Sequence, residues 1–195
     1  AGLYAISSKD ASIVPGKSRT KPILSDGDMP SSVDVVVIGG GIAGVSTALS
    51  LAERGVSVAL FEKGEIAGEA SGRNHGQLSL KHQLGYNMPL IQLSLDRWKG
   101  LNALTGEETG YRECNAFDYT NSDADVAWQA SVSEHLKEPV RVLTGGAVRQ
   151  SLPGMSSDYK YAFYLPGEAV AEPELAAPAI AEGARKLGAK IFTGC

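Results

Sequence analysis

Residues 33–63 read VDVVVIGGGIAGVSTALSLAERGVSVALFEK, and this stretch decides the fold. Val33 to Ile38, interrupted only by Asp34, is an apolar run rich in β-branched residues, predicting a strand buried on both faces. Gly39, Gly41 and Gly44 follow in G-x-G-x-x-G spacing. Where a strand feeds a helix, the first glycine permits the turn, the second lets backbone approach a pyrophosphate, and the third lets helix and sheet lie close. Ile42 to Arg54 are good helix formers, with Val45, Ala48, Leu49 and Ala52 recurring on one face. The N-terminus of that helix, beginning at Ile42 and Ala43, offers free amides and the positive end of its dipole to a doubly charged pyrophosphate. Gly55 ends the helix, and Val56 to Phe61 gives a second buried strand closing in Glu62. An acid about 20 residues past the glycines takes ribose hydroxyls and repels a 2′-phosphate, so the expected ligand is FAD or NAD rather than NADP.

Outward from this unit, the chain of 195 residues has room for one good core or two small ones. Hydrophobic residues make up 43% and the net charge is −4, so neither nucleic acid nor an anionic membrane is an expected partner. No apolar run approaches the roughly 18 residues of a membrane span. The first residues lack the charged and apolar segments of a secretory signal. Cys114 and Cys195, far apart, read as two reduced thiols, which suits a cytoplasmic location. His75, His82 and His135 are too scattered to propose a metal site.

Residues 1–32, with Lys9, Lys17, Arg19 and Lys21 among serines and prolines, read as a surface arm that Leu3, Tyr4 and Ile6 could dock. After Lys63, GEIAGEASGRNHGQLSLKH is too irregular for a helix and leaves the carboxyl end of the second strand, where α/β sheets bind ligands. Further on, the pattern predicts a helix over 87–105 with Ile91, Leu95, Trp98 and Leu101 on its packing face, and a strand over 111–119. Helices are expected over 123–137 and 144–152, and a half-buried strand over 159–165. A helix over 173–187 and a strand beginning at Lys190 close the chain.

VVVIGGGIAGVSTALSLAERGVSVALFEK followed by EASGRNHGQL resembles the D-amino acid oxidase family of FAD-dependent oxidoreductases. The S-G-R-N-x-G-Q loop and the acid-proline pair Glu172–Pro173 are most similar to its γ-glutamylputrescine oxidoreductase branch. The resemblance implies an α/β fold, a Rossmann-like FAD-binding domain interleaved with part of an α+β substrate domain. The expected division is an arm at 1–32, FAD domain at 33–85, substrate domain at 86–168 and a return to the FAD domain at 169–195. It implies cofactor contacts at Gly39, Gly41, Ile42, Ala43, Gly44, Glu62, Lys63, Ser71, Gly72, Arg73, Asn74, His75, Gly76 and Gln77, with no metal and no catalytic residue assigned. Arg73 is the natural countercharge for phosphate. Departing from the branch, His75 replaces a glycine, and Ser79 stands where related sarcosine oxidases carry a carboxylate-binding arginine. His75 is therefore expected to hydrogen-bond rather than to hold the flavin covalently.

The family chemistry is hydride removal from a carbon bearing an amine, with FAD as acceptor, followed by hydrolysis of the imine. The expected substrate is a small amine or amino acid. Family members are about twice this length, so the chain is expected to be an N-terminal portion whose FAD site a C-terminal half or partner chain completes. An NAD-dependent dehydrogenase and a non-catalytic nucleotide-binding fragment are the competing readings. The glycine and serine loop at 68–78 speaks against the first, because an NAD enzyme would run straight on into further βα units.

Overall fold

The computed structural model describes residues 3–7, 22–79, 88–133, 140–151 and 158–195. The elements in order are β1 (Leu3–Ser7), β2 (Val35–Ile38), α1 (Ile42–Ala52), β3 (Val58–Phe61), a 3-10 turn at Ala70–Gly72, and β4 (Gln77–Leu78). There follow α2 (Met88–Thr105), β5 (Arg112–Thr120), α3 (Asp123–Ser133), β6 (Arg141–Thr144), α4 (Gly146–Ser151), β7 (Tyr161–Val170), α5 (Pro173–Lys186) and β8 (Lys190–Phe192). Two compact units share them: Pro15–Gln77, Leu93–Tyr111 and Val170–Cys195 form one, and Ala1–Val14, Leu78–Gln92 and Arg112–Ala169 the other.

The first unit is built on a parallel sheet in the order β2-β3-β8. Alternation along the strands puts Val37, Val58, Leu60 and Ile191 on one face, where they join Val45, Ala48, Leu49 and Ala52 of α1 in a single core. Ala177, Ile180, Ala181 and Ala184 of α5 complete it, and the small side chains of the three alanines let α5 lie close against α1. Leu101 of α2 is buried in the same core and Trp98 packs against it. The stripe read from the sequence thus serves packing.

Two-sided burial of the first strand is not found. Val36 and Ile38 are 55% and 88% exposed. The reason is topological: among the described residues β2 is the sheet's edge, and the helices pack on the face that carries Val37. The other edge is closed: Asp26 lies along β8, its amide donating to the Ile191 carbonyl at 2.8 Å and its carboxylate accepting from the Ile191 amide at 2.7 Å.

The second unit holds a sheet in the order β1-β5-β7-β4, with β6 also on β7. Leu3–Ser7, read as part of an arm, pairs antiparallel with β5, Leu3 opposite Tyr119 and Ser7 opposite Asn115. Both faces of this sheet are covered. Ala116, Val140, Phe163 and Leu165 cluster with Val126 of α3, while Phe117, Tyr119, Val148 and Ala162 cluster with Leu143, Tyr159 and Tyr164. The strand expected at 159–165 therefore runs from Tyr161 to Val170 and is not half-buried. The helix expected at 144–152 is preceded by β6, whose Arg141 stacks over the ring of its cross-strand partner Tyr164 at 4.2 Å. The helix expected to reach Lys137 is described as far as Ser133; 134–139, with His135, lie outside the described residues, as does His82.

Candidate functional site

The site forms where β2 hands over to α1. Gly39 has φ +106°, which a side chain would resist. At Gly44 an added Cβ would stand 1.9 Å from the Gly39 carbonyl oxygen, so the third glycine of the motif is fixed by contact between helix and turn. Gly41 precedes the first residue of α1 and has no side chain with which to cap it. The cap comes from elsewhere: the Ile42 amide donates to Ser71 Oγ at 2.9 Å. The first-turn amides of Ala43 and Gly44 have no acceptor within the helix, which begins at Ile42 beside the turn.

Glu62 stands at the end of β3. One of its oxygens accepts from the Gly40 amide at 2.6 Å and the other from the Gly64 amide at 2.8 Å. A carboxylate accepts about four hydrogen bonds, so two backbone donors fix its direction and leave acceptor capacity for a sugar hydroxyl. Phe61 stacks on Phe192 at 5.0 Å beside it, and the Cys195 amide donates to the Glu62 carbonyl at 3.1 Å.

The loop after β3 folds back over the turn. The Ala67 amide donates to the Gly40 carbonyl at 3.0 Å, with Ala67 itself at φ +61°. Asn74 braces the loop from within: its Nδ2 donates to the carbonyls of Ala70 and Ser71, and its Oδ1 accepts from the Gly76 amide at 2.8 Å. Gly76 is buried, and its carbonyl accepts from the Ala171 amide at 2.9 Å, just before α5. Gly72 packs on the Ala67 carbonyl, and Gln77 enters β4.

The charged residues of the loop point outward. Lys63 pairs with Glu69 at 3.0 Å, both well exposed. The hydrogen bond and charge of Glu69 hold the Lys63 ammonium above its ordinary value, and Lys63, helped by Arg73, holds Glu69 below its own. Arg73 and His75 are exposed. The structure thus brings the glycines, Ile42, Glu62 and Ser71 together and leaves Lys63, Arg73 and His75 at the rim.

Three contributors escaped sequence reading. Gly40 supplies an amide to Glu62 and a carbonyl to Ala67. Ile66 is buried beneath it, its Cδ1 2.5 Å from where a Gly40 Cβ would stand. Ala67 closes the loop on the turn. The available signals were the unbroken triplet of glycines and a lone isoleucine in a polar loop.

The comparisons with known proteins follow the same lines. A family model described as FAD dependent oxidoreductase matches residues 34–195. A glycine oxidase from Geobacillus kaustophilus is 31% identical over 84% of this chain and 46% of its own length. The γ-glutamylputrescine oxidoreductase of Escherichia coli is 56% identical, over 23% of this chain and 11% of its own. Among solved structures, L-amino acid deaminase from Proteus myxofaciens matches with a TM-score of 0.80 and 32% identity, covering all of this chain and 43% of its own. The chain spans about half the length of the curated glycine oxidases it matches. No helix among the described residues is long and apolar enough to cross a membrane.

Proposed function

The chain belongs to the FAD dependent oxidoreductase family, and from that premise we propose that it anchors FAD for the oxidation of a carbon–nitrogen bond in a small amine or amino acid. The observation that carries the reading is the joint geometry of turn and loop, a helix N-terminus capped by Ser71 with Glu62 fixed on the neighbouring strand. These residues fit the cofactor. Gly39, Gly41, Ile42, Ala43 and Gly44 would hold its pyrophosphate, and the unused lone pairs of Glu62 would take the ribose hydroxyls. Ser71, Gly72, Asn74, Gly76 and Gln77 would keep the loop beside it, with Lys63, Arg73 and His75 at the rim. When bound, FAD supplies a two-electron acceptor for hydride leaving the amine-bearing carbon, and water then hydrolyses the imine. The names of the relatives, glycine oxidase and L-amino acid deaminase, support an amino acid or amine as substrate class.

The remaining length that these relatives possess completes the flavin and substrate sites. Residues 1–195 alone do not turn over substrate, because orientation of the reacting carbon and exclusion of water both need the rest. A reducing cytoplasmic setting suits the two free thiols, of which Cys114 is buried and pushed up by burial and then by the charge of Glu168. The test is anaerobic reduction of the complete protein by a panel of amines, amino acids and hydroxy acids. Loss of the oxidised flavin spectrum with amino acids or amines is expected. Reduction only by hydroxy compounds would overturn the substrate class.

A further inference from the structure

Ala171 and Glu172, the two residues before α5, are bound by two different loops of the first unit. The Ala171 amide donates to the Gly76 carbonyl at 2.9 Å, and the next amide, that of Glu172, donates to the Thr109 carbonyl at 3.1 Å. Both contacts are tight. A Cβ on Gly76 would stand 2.0 Å from the Ala171 carbonyl oxygen, and one on Gly110 would stand 2.3 Å from Glu172 Cγ and 2.9 Å from the Glu172 amide nitrogen. Each of these glycines has φ +68°. Backbones in such contact leave no slack, so a shift of one loop displaces residues 171–172 and, with them, the other loop.

The loop after α2 is itself held by one side chain. Asn102 lies in the last turn of α2, and its Oδ1 accepts from the Thr109 amide at 3.1 Å and from the Thr109 hydroxyl at 2.7 Å. Its Nδ2 donates to Glu108 Oε1 at 2.8 Å, and the Gly110 amide donates to the same oxygen at 2.9 Å. Thr109 is fully buried, so its amide and hydroxyl have no recourse to water if the Asn102 oxygen is withdrawn. On the far side of Ala171 the bonds run on to the glycine turn. The Gly76 amide donates to Asn74 Oδ1, Asn74 Nδ2 donates to the Ser71 carbonyl at 3.0 Å, and Ser71 Oγ accepts from the Ile42 amide.

We infer that Asn102 is a positioning residue for the proposed flavin site, holding Glu172 through Thr109 and thereby Gly76 and the loop that caps Ile42. The inference deepens the reading given under Proposed function, on which it rests. The Asn102 side chain bonds to Thr109 and Glu108, neither of which is among the residues proposed to hold FAD, so it acts through the loops alone. The position calls for an amide, because one atom accepts from Thr109 while the other donates to the carboxylate of Glu108. A carboxylate in its place would still accept from Thr109 but would set like charges together.

The test compares Asn102→Asp with the double change Asn102→Asp, Glu108→Gln in the complete protein. The double change restores the bond between the two side chains with donor and acceptor exchanged. For the single change, FAD titration of the flavin-free protein is expected to show affinity about 3- to 30-fold below the parent's. Hydrogen exchange at the Gly76, Glu172 and Ile42 amides is expected to quicken by about tenfold. The Gly39 and Glu62 amides, which donate to the Phe61 and Phe192 carbonyls within the sheet, are expected to keep the parent's rates. The double variant should regain the parent's affinity and exchange. Unchanged affinity and exchange in the single variant would overturn the inference. So would quickening shared by Gly39 and Glu62, or a double variant no better than the single, since either means a general loss of stability. If Asn102→Asp does not fold, Thr109→Val removes the hydroxyl donor instead: selective quickening at Gly76 and Glu172 supports the inference, and its absence overturns it. A parent that takes up no flavin removes the reading under Proposed function, while the exchange pattern still decides whether Asn102 positions the loop.

Discussion

Ser71 Oγ accepts the hydrogen bond of the Ile42 amide at 2.9 Å, so the loop that follows β3 caps the helix that precedes it. One hydroxyl therefore ties together the two pieces of backbone proposed to hold the pyrophosphate. Ser71→Ala should cost about 1 kcal/mol of stability, as loss of a helix cap does, and should weaken FAD binding as the loop loosens. Ser71→Thr should restore most of both. Urea unfolding and FAD titration measure them, and an alanine variant indistinguishable from the parent in both would remove Ser71 from the site.

Glu62→Ala removes the acceptor from Gly40 and Gly64 together with the proposed ribose contact. Each charge-assisted bond lost should weaken FAD binding by about 1.5–3 kcal/mol. Unchanged affinity in a flavin titration would refute that role.

Gly44→Ala and Gly41→Val separate folding from binding. At Gly44 a methyl group would collide with the Gly39 carbonyl, and the expected loss is about 1–3 kcal/mol of stability. At Gly41 a Cβ stands 3.1 Å from Ser71 Oγ, and the rest of a valine would occupy the approach of the phosphates. Gly41→Val should therefore lose flavin more completely than it loses stability. Thermal melts with and without added FAD distinguish the two variants.

The βαβ unit was legible because each boundary had a local cause. Gly39 forced the turn, the Val45–Ala52 face fixed the helix, and Gly188 with Pro173 bracketed α5. What the sequence hid was tertiary. Val36 and Ile38 have the composition of buried residues, and only the strand order shows that, among the described residues, they stand exposed on an edge strand. β6 escaped because Arg141–Thr144 is four residues long and takes its stability from pairing with β7, a contact with no local signal. The cap on Ile42 comes from a serine 29 positions away, and no spacing rule connects the two. Gly40 and Ile66 matter only once the loop has folded back.

Acid should weaken the entry to the sheet. Asp34 accepts from the Ser57 hydroxyl at 2.5 Å and from the Ser57 amide at 3.0 Å, and these bonds, the hydroxyl first, lower its carboxyl below the ordinary 3.8. A folded value below the unfolded one means stability that is present above the unfolded value and lost as pH falls through the folded one. Asp34→Asn should thus be less stable than the parent at neutral pH and should show a shallower loss between pH 5 and the acid limit, as read from urea midpoints across that range. Equal acid slopes for parent and variant would contradict the assignment.

The absorbance spectrum of the purified complete protein, taken before and after acid precipitation, tests most directly whether this turn and loop hold FAD. Oxidised flavin bands in the native protein, passing into the supernatant when the protein is precipitated, are the expected result. A protein that shows no flavin bands, even after incubation with FAD, would contradict the account. Colour retained in the pellet would mean a covalent link, contrary to the placement of His75 at the exposed rim.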